Sequence, residues 1–379
     1  MRATREPPTA DRSSPVGSTA DDLILPPDVR AELARTAARV PGLQWVVVDA
    51  AGPLIDVAVG WADLRRQVPM TPTTTQMAYS MTKTITAVAI LQLVETGGLT
   101  LEDGLDAFVP DTPYRGNSIT VRQLLAHTSG IPAPIPLRWV HPSHHGEPFD
   151  DGAALTEVLR RHPRLRDRPG ARFRYSNIGY WLLGRIVEQV TGRPFVDHVG
   201  AAVLEPLGIV PDEMGFTIGD AATHATGYLA KYSWLNLAKG ALMDRCLWDG
   251  YDGHWLRLRD IEPDGAAFGG LVGSARSFGR FLTDQLRPES ILLGAAARRL
   301  LQAPQALADG SSIPMTLGWH VGRSDDAEFL FKEGGGGGFH GEMRLYPSRA
   351  IGSVVIANDT QFDASGFLTR VGRVGLPCR

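Results

Sequence analysis

Residues 80–98 read SMTKTITAVAILQLVETGG. Apolar residues from Ile85 to Val94 fall on nearly every side of a 3.6-residue helix, which predicts a helix over Ser80–Glu95 that is buried all round. Gly97 and Gly98 stop it. The first turn carries the hydroxyl of Ser80 and the amine of Lys83, three residues apart and therefore on one face. A hydroxyl needs a neighbouring base before it attacks a carbonyl, and a desolvated lysine can lose its proton and serve as that base. The start of a helix also favours negative charge developing on the serine or acyl oxygen. Lysine is scarce in this chain: among 38 basic residues only Lys83, Lys231, Lys239 and Lys332 are not arginine. A lysine in so arginine-biased a sequence marks a place where an amine's ability to deprotonate matters.

Outward from this helix, Pro26-Pro27-Asp28 opens an N-terminal helix with Val29, Leu33, Ala37 and Val40 on one side. Two β runs, Gln44–Val48 and Leu54–Trp61, flank the turn Asp49-Ala50-Ala51-Gly52-Pro53 and read as a hairpin. Helical stretches are predicted at Thr120–His127, Ala153–Arg161 and Gly179–Thr191, with a Pro-rich loop over 131–150. Residues 232–258, with Trp234, Trp248 and Trp255, follow neither period. A helix over Ala275–Leu286 precedes β runs at Met315–Val321, Phe329–Lys332, Glu342–Tyr346 and Ile351–Ala357, and a last helix covers Ala364–Val374. This order predicts an α/β plus all-α chain: an antiparallel sheet flanked by helices, with a helical domain inserted. The expected parts are a disordered tail over 1–24, an α/β domain from 25–79 with 259–379, and a mainly helical domain over 80–258. Clefts between two such lobes are where small-molecule sites form.

A chain of 379 residues buries a large core without disulfides or a structural metal. Its two cysteines, Cys246 and Cys378, exclude a disulfide scaffold and Cys-based zinc patterns, and are expected as free thiols. Net charge is -3, which offers no basic field to nucleic acid or an anionic membrane. The polar N-terminus and the lack of an 18-residue apolar run lead to the expectation of a soluble, cytoplasmic protein. His141, His144 and His145 with Asp150 and Asp151 lack the helical His-Glu-x-x-His spacing, so no metal and no cofactor is expected.

Two further motifs carry chemistry. In Tyr175-Ser176-Asn177 the phenol can relay a proton if nearby cations lower its pKa, and the amide can hold a substrate carbonyl. Lys332-Glu333-Gly334, with glycines continuing to Gly338 before Phe339-His340, ends a β run where bare backbone lets a substrate approach closely. His127 reads as a structural hydrogen-bonder. The Gly-Lys-Ser/Thr phosphate loop and the Gly-x-Ser-x-Gly elbow are both absent.

Ser-x-x-Lys, Tyr-x-Asn and Lys-x-Gly in this order resemble the serine β-lactamase and penicillin-binding-protein superfamily, most of all its class C-like branch with the family VIII carboxylesterases. Leu124-Leu125-Ala126-His127-Thr128-Ser129-Gly130-Ile131 and Gly269–Arg276 support it, and the likeness spans about residues 28–375. The resemblance implies a β-lactamase/transpeptidase-like fold and a metal-free serine hydrolase. Ser80 would be the nucleophile, Lys83 and Tyr175 the base system, Asn177 a substrate contact, Lys332 the holder of the hydrogen-bond network or of a substrate carboxylate, and the backbone N–H groups of Ser80 and Gly335, past Gly334, the oxyanion hole. The middle of Lys-x-Gly is Glu333, where relatives of this branch carry Thr or Ser. An anion there disfavours the carboxylate of penicillins and D-Ala-D-Ala peptides and tilts the reading toward small neutral acyl esters. A β-lactamase, D-Ala peptidase or amidase, an acyltransferase, or a non-catalytic sensor of this fold are the rivals. The partner expected is a small-molecule ester, lactam or amide; the sequence leaves the oligomeric state open.

Overall fold

Alternation along Leu43–Val48 organises the centre of the molecule. Leu43, Trp45 and Val47 point to one side of their strand and Val46 and Val48 to the other, and the two sets join different hydrophobic clusters. Apart from buried Gln44 the strand is apolar on both sides, because helices cover both faces of its sheet. The computed structural model describes residues 25–135, 139–143, 149–324 and 327–373. The tail expected over 1–24, His144, His145 and Cys378 lie outside the described residues, whereas Cys246 is exposed and bonds to no cysteine among the described residues.

Seven strands form one antiparallel sheet in the order His320–Arg323, Glu328–Gly336, Phe339–Tyr346, Ile351–Ala357, Gly42–Asp49, Gly52–Asp63, Val68–Pro69. Both ends of the chain contribute to it. The central pairing sets Trp45 opposite Val355, and the hairpin turn is closed by Asp49 Oδ1, which accepts from the backbone N–H groups of Ala51 and Gly52. On one face lie the helices Pro27–Ala37 and Ala364–Arg373, with the Phe367 ring edge-on to Trp45 at 5.5 Å. Each such fully buried side chain contributes about 1.5–3 kcal/mol of transfer free energy. The other face packs on Ala275–Leu286, where a Cβ at Gly279 would meet Val46 at 2.9 Å.

The helix of the opening stretch runs Thr82–Glu95 and is buried from Thr82 through Leu91. Its internal hydroxyls are satisfied: Thr84 donates to the Met81 carbonyl at 2.9 Å and Thr86 to the Ala267 carbonyl at 2.7 Å. The helix Asn177–Thr191 lies beside it. Three expected elements differ. The helix expected to His127 is Val121–Leu125, because His127 itself takes a left-handed φ of 56°. Within Met315–Val321 only the segment from His320 is a strand; Gly318 (φ 102°) lets the chain pass where a Cβ would stand 2.7 Å from Ala87. The Pro-rich loop contains a short strand, Val140–Pro142, paired with Ile261–Pro263.

The tryptophan-rich segment is a helix, Trp234–Leu242, followed by strands Trp248–Asp252 and Trp255–Leu258 that join Tyr228–Ala230 in a small sheet. Among the described residues no helix is long and apolar enough to cross a membrane.

Candidate active site

A tight turn ahead of the buried helix sets the site. Tyr79 adopts φ 45°, a conformation that costs a non-glycine residue energy and is kept only where the surroundings over-determine it. Its hydroxyl donates to the Gly337 carbonyl at 2.6 Å, and its ring occupies the space a Cβ on Gly336 would need. Tyr79–Met81 therefore forms a 3-10 turn, and the α-helix starts only at Thr82. Ser80 projects from this turn rather than from the helix proper, partly exposed between buried Tyr79 and Met81.

The strand Glu328–Gly336 passes directly over that turn. A Cβ on Gly334 would lie 2.0 Å from the Ala78 carbonyl oxygen and 3.1 Å from the Ser80 nitrogen, so only glycine permits the approach. Beyond Phe331, opposite His320, the strand has no partner on that side among the described strands, which leaves the edge of Lys332–Gly336 open. Ser80 and Gly335 both line the cavity in front of it.

Ser80 Oγ stands 3.0 Å from Lys83 Nζ and 2.7 Å from the Tyr175 hydroxyl. Lys83 also donates to the Phe268 carbonyl at 2.6 Å. Lys332 Nζ is 4.9 Å from the centroid of the Tyr175 ring, and Lys83 Nζ is 5.0 Å from the same centroid. Three motifs far apart in sequence thus converge: Lys83 and Tyr175 reach Ser80 by hydrogen bonds, and Lys332 stands behind the Tyr175 ring. Both lysines are fully buried. Burial drives Lys83 well below the ordinary lysine value, and the charge of Lys332 pushes the same way. Burial alone brings Lys332 down to about 7. The sequence reading looked to nearby cations to lower Tyr175, but burial pushes its phenol up instead, against the opposing effect of the Ser80 hydrogen bond. Desolvation penalises every charged form here, so the phenol stays protonated while the lysines are driven toward the free amine.

Asn177 opens the helix Asn177–Thr191, whose N-cap Ser176 accepts from the Gly179 N–H. It lines the cavity, and its Oδ1, like Lys332 Nζ, has no hydrogen-bond partner among the described residues. Strand alternation turns Glu333 to the side opposite Lys332. Its carboxylate pairs with His340 Nε2 at 2.7 Å and lies outside the lining of the cavity. That hydrogen bond is the main reason its carboxyl sits below the usual range, so Glu333 keeps its charge and directs it at His340.

Of the surrounding shell, sequence reasoning named His127 as a structural hydrogen-bonder, which it is, but missed His320 and the apolar lining. The Tyr175 ring lies between two imidazoles, His127 at 4.3 Å and His320 at 6.0 Å between centroids. Both histidines are held below the ordinary value by burial first and the lysine charges second, His320 to about 3. His127 Nδ1 accepts from the Ser176 N–H at 3.1 Å, which fixes the backbone beside Tyr175. The cavity over Ser80 holds about 400 Å³. Its walls include Trp139, Leu229, Leu235, Met243, Leu247 and Phe268, and no charged side chain lines it among the described residues. Leu235, Met243 and Leu247 come from the segment whose pattern followed neither period. No group of three or more His, Cys, Asp or Glu able to hold a metal occurs among the described residues.

Fold and site together define a protein of the serine β-lactamase and penicillin-binding-protein superfamily, with a β-lactamase/transpeptidase fold. The family model described as Beta-lactamase matches residues 29–372, and the chain belongs to that family. Protein flp of Staphylococcus aureus (strain MW2) is 26% identical over 325 residues, covering 84% of this chain; the chain spans 60% of the length of that relative. Penicillin-binding protein 4* of Bacillus subtilis (strain 168) is 24% identical over 80% of this chain and 66% of its own. Among solved structures, D-amino acid amidase from Ochrobactrum anthropi SV3, complexed with L-phenylalanine amide, has a TM-score of 0.75 at 22% identity. That match covers 91% of this chain and 97% of the amidase.

Proposed function

We propose that the protein is a serine hydrolase that cleaves neutral, apolar acyl esters through an acyl-enzyme on Ser80. The observation that carries this reading is the cavity: an apolar space without a charged lining residue among those described, opening onto a serine in contact with an amine and a phenol. A substrate carboxylate finds no cation in that lining, because both nearby lysines are buried beneath it and driven toward neutrality.

In this mechanism Lys83, as free amine, takes the Ser80 proton while Oγ attacks the ester carbonyl. The developing oxyanion is received by the N–H groups of Ser80 and Gly335. Tyr175, protonated in its apolar surroundings, hands its proton to the departing alkoxide as it takes one from Lys83 in the same step, so that no free phenolate forms. Water then enters by the same relay and releases the acid. Lys83 is the first base in this order, because the amine is the group that burial makes available and the phenolate is the one it forbids. An amide with an apolar side chain is the second substrate class, favoured by the fold shared with D-amino acid amidase along nearly its full length.

Intact-mass spectrometry after incubation with a panel of neutral esters, amides, cephalosporins and D-peptides tests the reading. The expected result is a mass increase of one acyl group with neutral esters, mapped to Ser80. Labelling by cephalosporins and D-peptides alone, or at another residue, overturns it.

A further inference from the structure

The helix Trp234–Leu242 carries apolar side chains on its outer as well as its inner side. Among its described side chains the polar Asn236 is the buried one, at 3% exposure: it donates to the Ala230 carbonyl and accepts from Lys239 and the Tyr251 hydroxyl. Trp234 and Leu237 stand outside at 67% and 88% exposure, next to Tyr232 at 81%. A helix that sets its apolar residues toward water leaves them for something other than its own core. The same segment also reaches inward, since Leu235 and Met243 line the cavity over Ser80. Ile135, which lines that cavity too, is 76% exposed at its rim. The exposed face is therefore continuous with the apolar wall of the site.

We propose that this face, Tyr232, Trp234 and Leu237 with the rim residue Ile135, docks the protein on the surface of an aggregated neutral amphiphile, from which an ester chain passes directly into the cavity. This rests on the ester reading above and adds how the substrate is presented. Only an occupant whose own apolar chain continues past Leu235 into the cavity uses both sides of the segment. Lys231 and Lys239 are folded over neighbouring aromatic rings, at 5.4 Å from Tyr251 and 5.2 Å from Trp248, Asp244 is followed by Arg245, and Asp249 is ion-paired with Arg65 and Arg257. The face carries no one-signed field, which suits an uncharged surface rather than an anionic one. Aromatic and leucine side chains on a short helix at an interface are the residues that enter such a phase.

Two measurements separate docking from catalysis. Flotation of the Ser80→Ala protein with phosphatidylcholine vesicles reads docking without turnover, and initial rates on tributyrin across its solubility limit read delivery. Ser80→Ala is expected to float with vesicles, and the added double change Trp234→Ser/Leu237→Ser to reduce the bound fraction at least fivefold. With Ser80 present, the tributyrin rate is expected to jump at least fivefold when emulsion forms. The double variant should lose that jump while its kcat/KM on monomeric p-nitrophenyl acetate stays within twofold. Absence of flotation, or flotation unchanged by the double variant, overturns the proposal even if esters are cleaved. A shift of the double variant to smaller assemblies in sedimentation, with flotation unchanged, overturns it in favour of self-association. Failure to cleave either ester, with flotation as expected, overturns the ester reading and leaves docking standing.

Discussion

Behind the floor of the cleft Lys83 and Lys332 are fully buried, whereas on the outer side of its roof, the segment whose Leu235 lines the cleft, Trp234 and Leu237 stand 67% and 88% exposed. The two regions depart from the usual inside–outside distribution in opposite directions. At the floor, burying two amines costs stability and makes one of them a base. At the roof, exposing apolar surface costs solubility and is explained by something that comes to cover it. Where the fold needs only stability, as along Leu43–Val48, the apolar side chains are buried and the one polar side chain, Gln44, donates to the Thr71 and Thr74 carbonyls. Departures of this kind collect at functional sites because nothing else maintains them against their cost.

The floor is the side to break first. Ser80→Ala is expected to reduce turnover of a water-soluble ester by at least about a thousandfold with an unchanged circular dichroism spectrum. Lys83→Arg should be nearly as damaging as Lys83→Ala, because a guanidinium keeps its proton and cannot serve as base. An active arginine variant would show that the position needs only charge.

The pH profile sharpens the same point. The base must be unprotonated, so kcat/KM is expected to fall with unit slope as pH drops through the depressed pKa of Lys83, and to be flat above it up to alkaline pH. A fall at high pH through the phenol range, with no fall in acid, would transfer the loss to Tyr175.

Stability provides the next test. Lys332 sits near 7 in the folded protein and near 10.4 when unfolded, so between these values the unfolded chain binds more protons and wild-type stability rises with pH. Below about 7 both states are protonated and the burial penalty is fully present. Lys332→Met is therefore expected to raise Tm at pH 7 while activity falls, and to remove this part of the pH dependence. A lower Tm for the methionine variant would mean that the amine is held by favourable contacts after all.

The smallest effect is expected at Glu333. With its carboxylate turned to His340 and away from the cavity lining, Glu333→Thr should change the ester-to-cephalosporin ratio of kcat/KM by less than about threefold. A tenfold change would show that the charge reaches the substrate.

The sequence alone determined what depends on neighbours in the chain. Apolar residues around every side of Ile85–Val94 require a buried helix wherever it packs, and the alternation on either side of Gly52 requires a hairpin. Ser80 and Lys83 are brought together by three residues of helical geometry, and Tyr175 and Lys332 were legible through the order of their motifs. Tertiary structure decided what depends on distance and solvent. Tyr79 holds its left-handed turn because Gly337, far along the chain, accepts its hydroxyl. Gly334 is required by a carbonyl oxygen that only folding brings near. The direction of each pKa shift is set by how much water is removed, which turned Tyr175 up when its charged neighbours suggested down. The segment 232–258 followed neither period because its helix faces the cavity on one side and water with apolar residues on the other. Periodicity reports one buried face against one wet one, and has no way to register a face that awaits a partner.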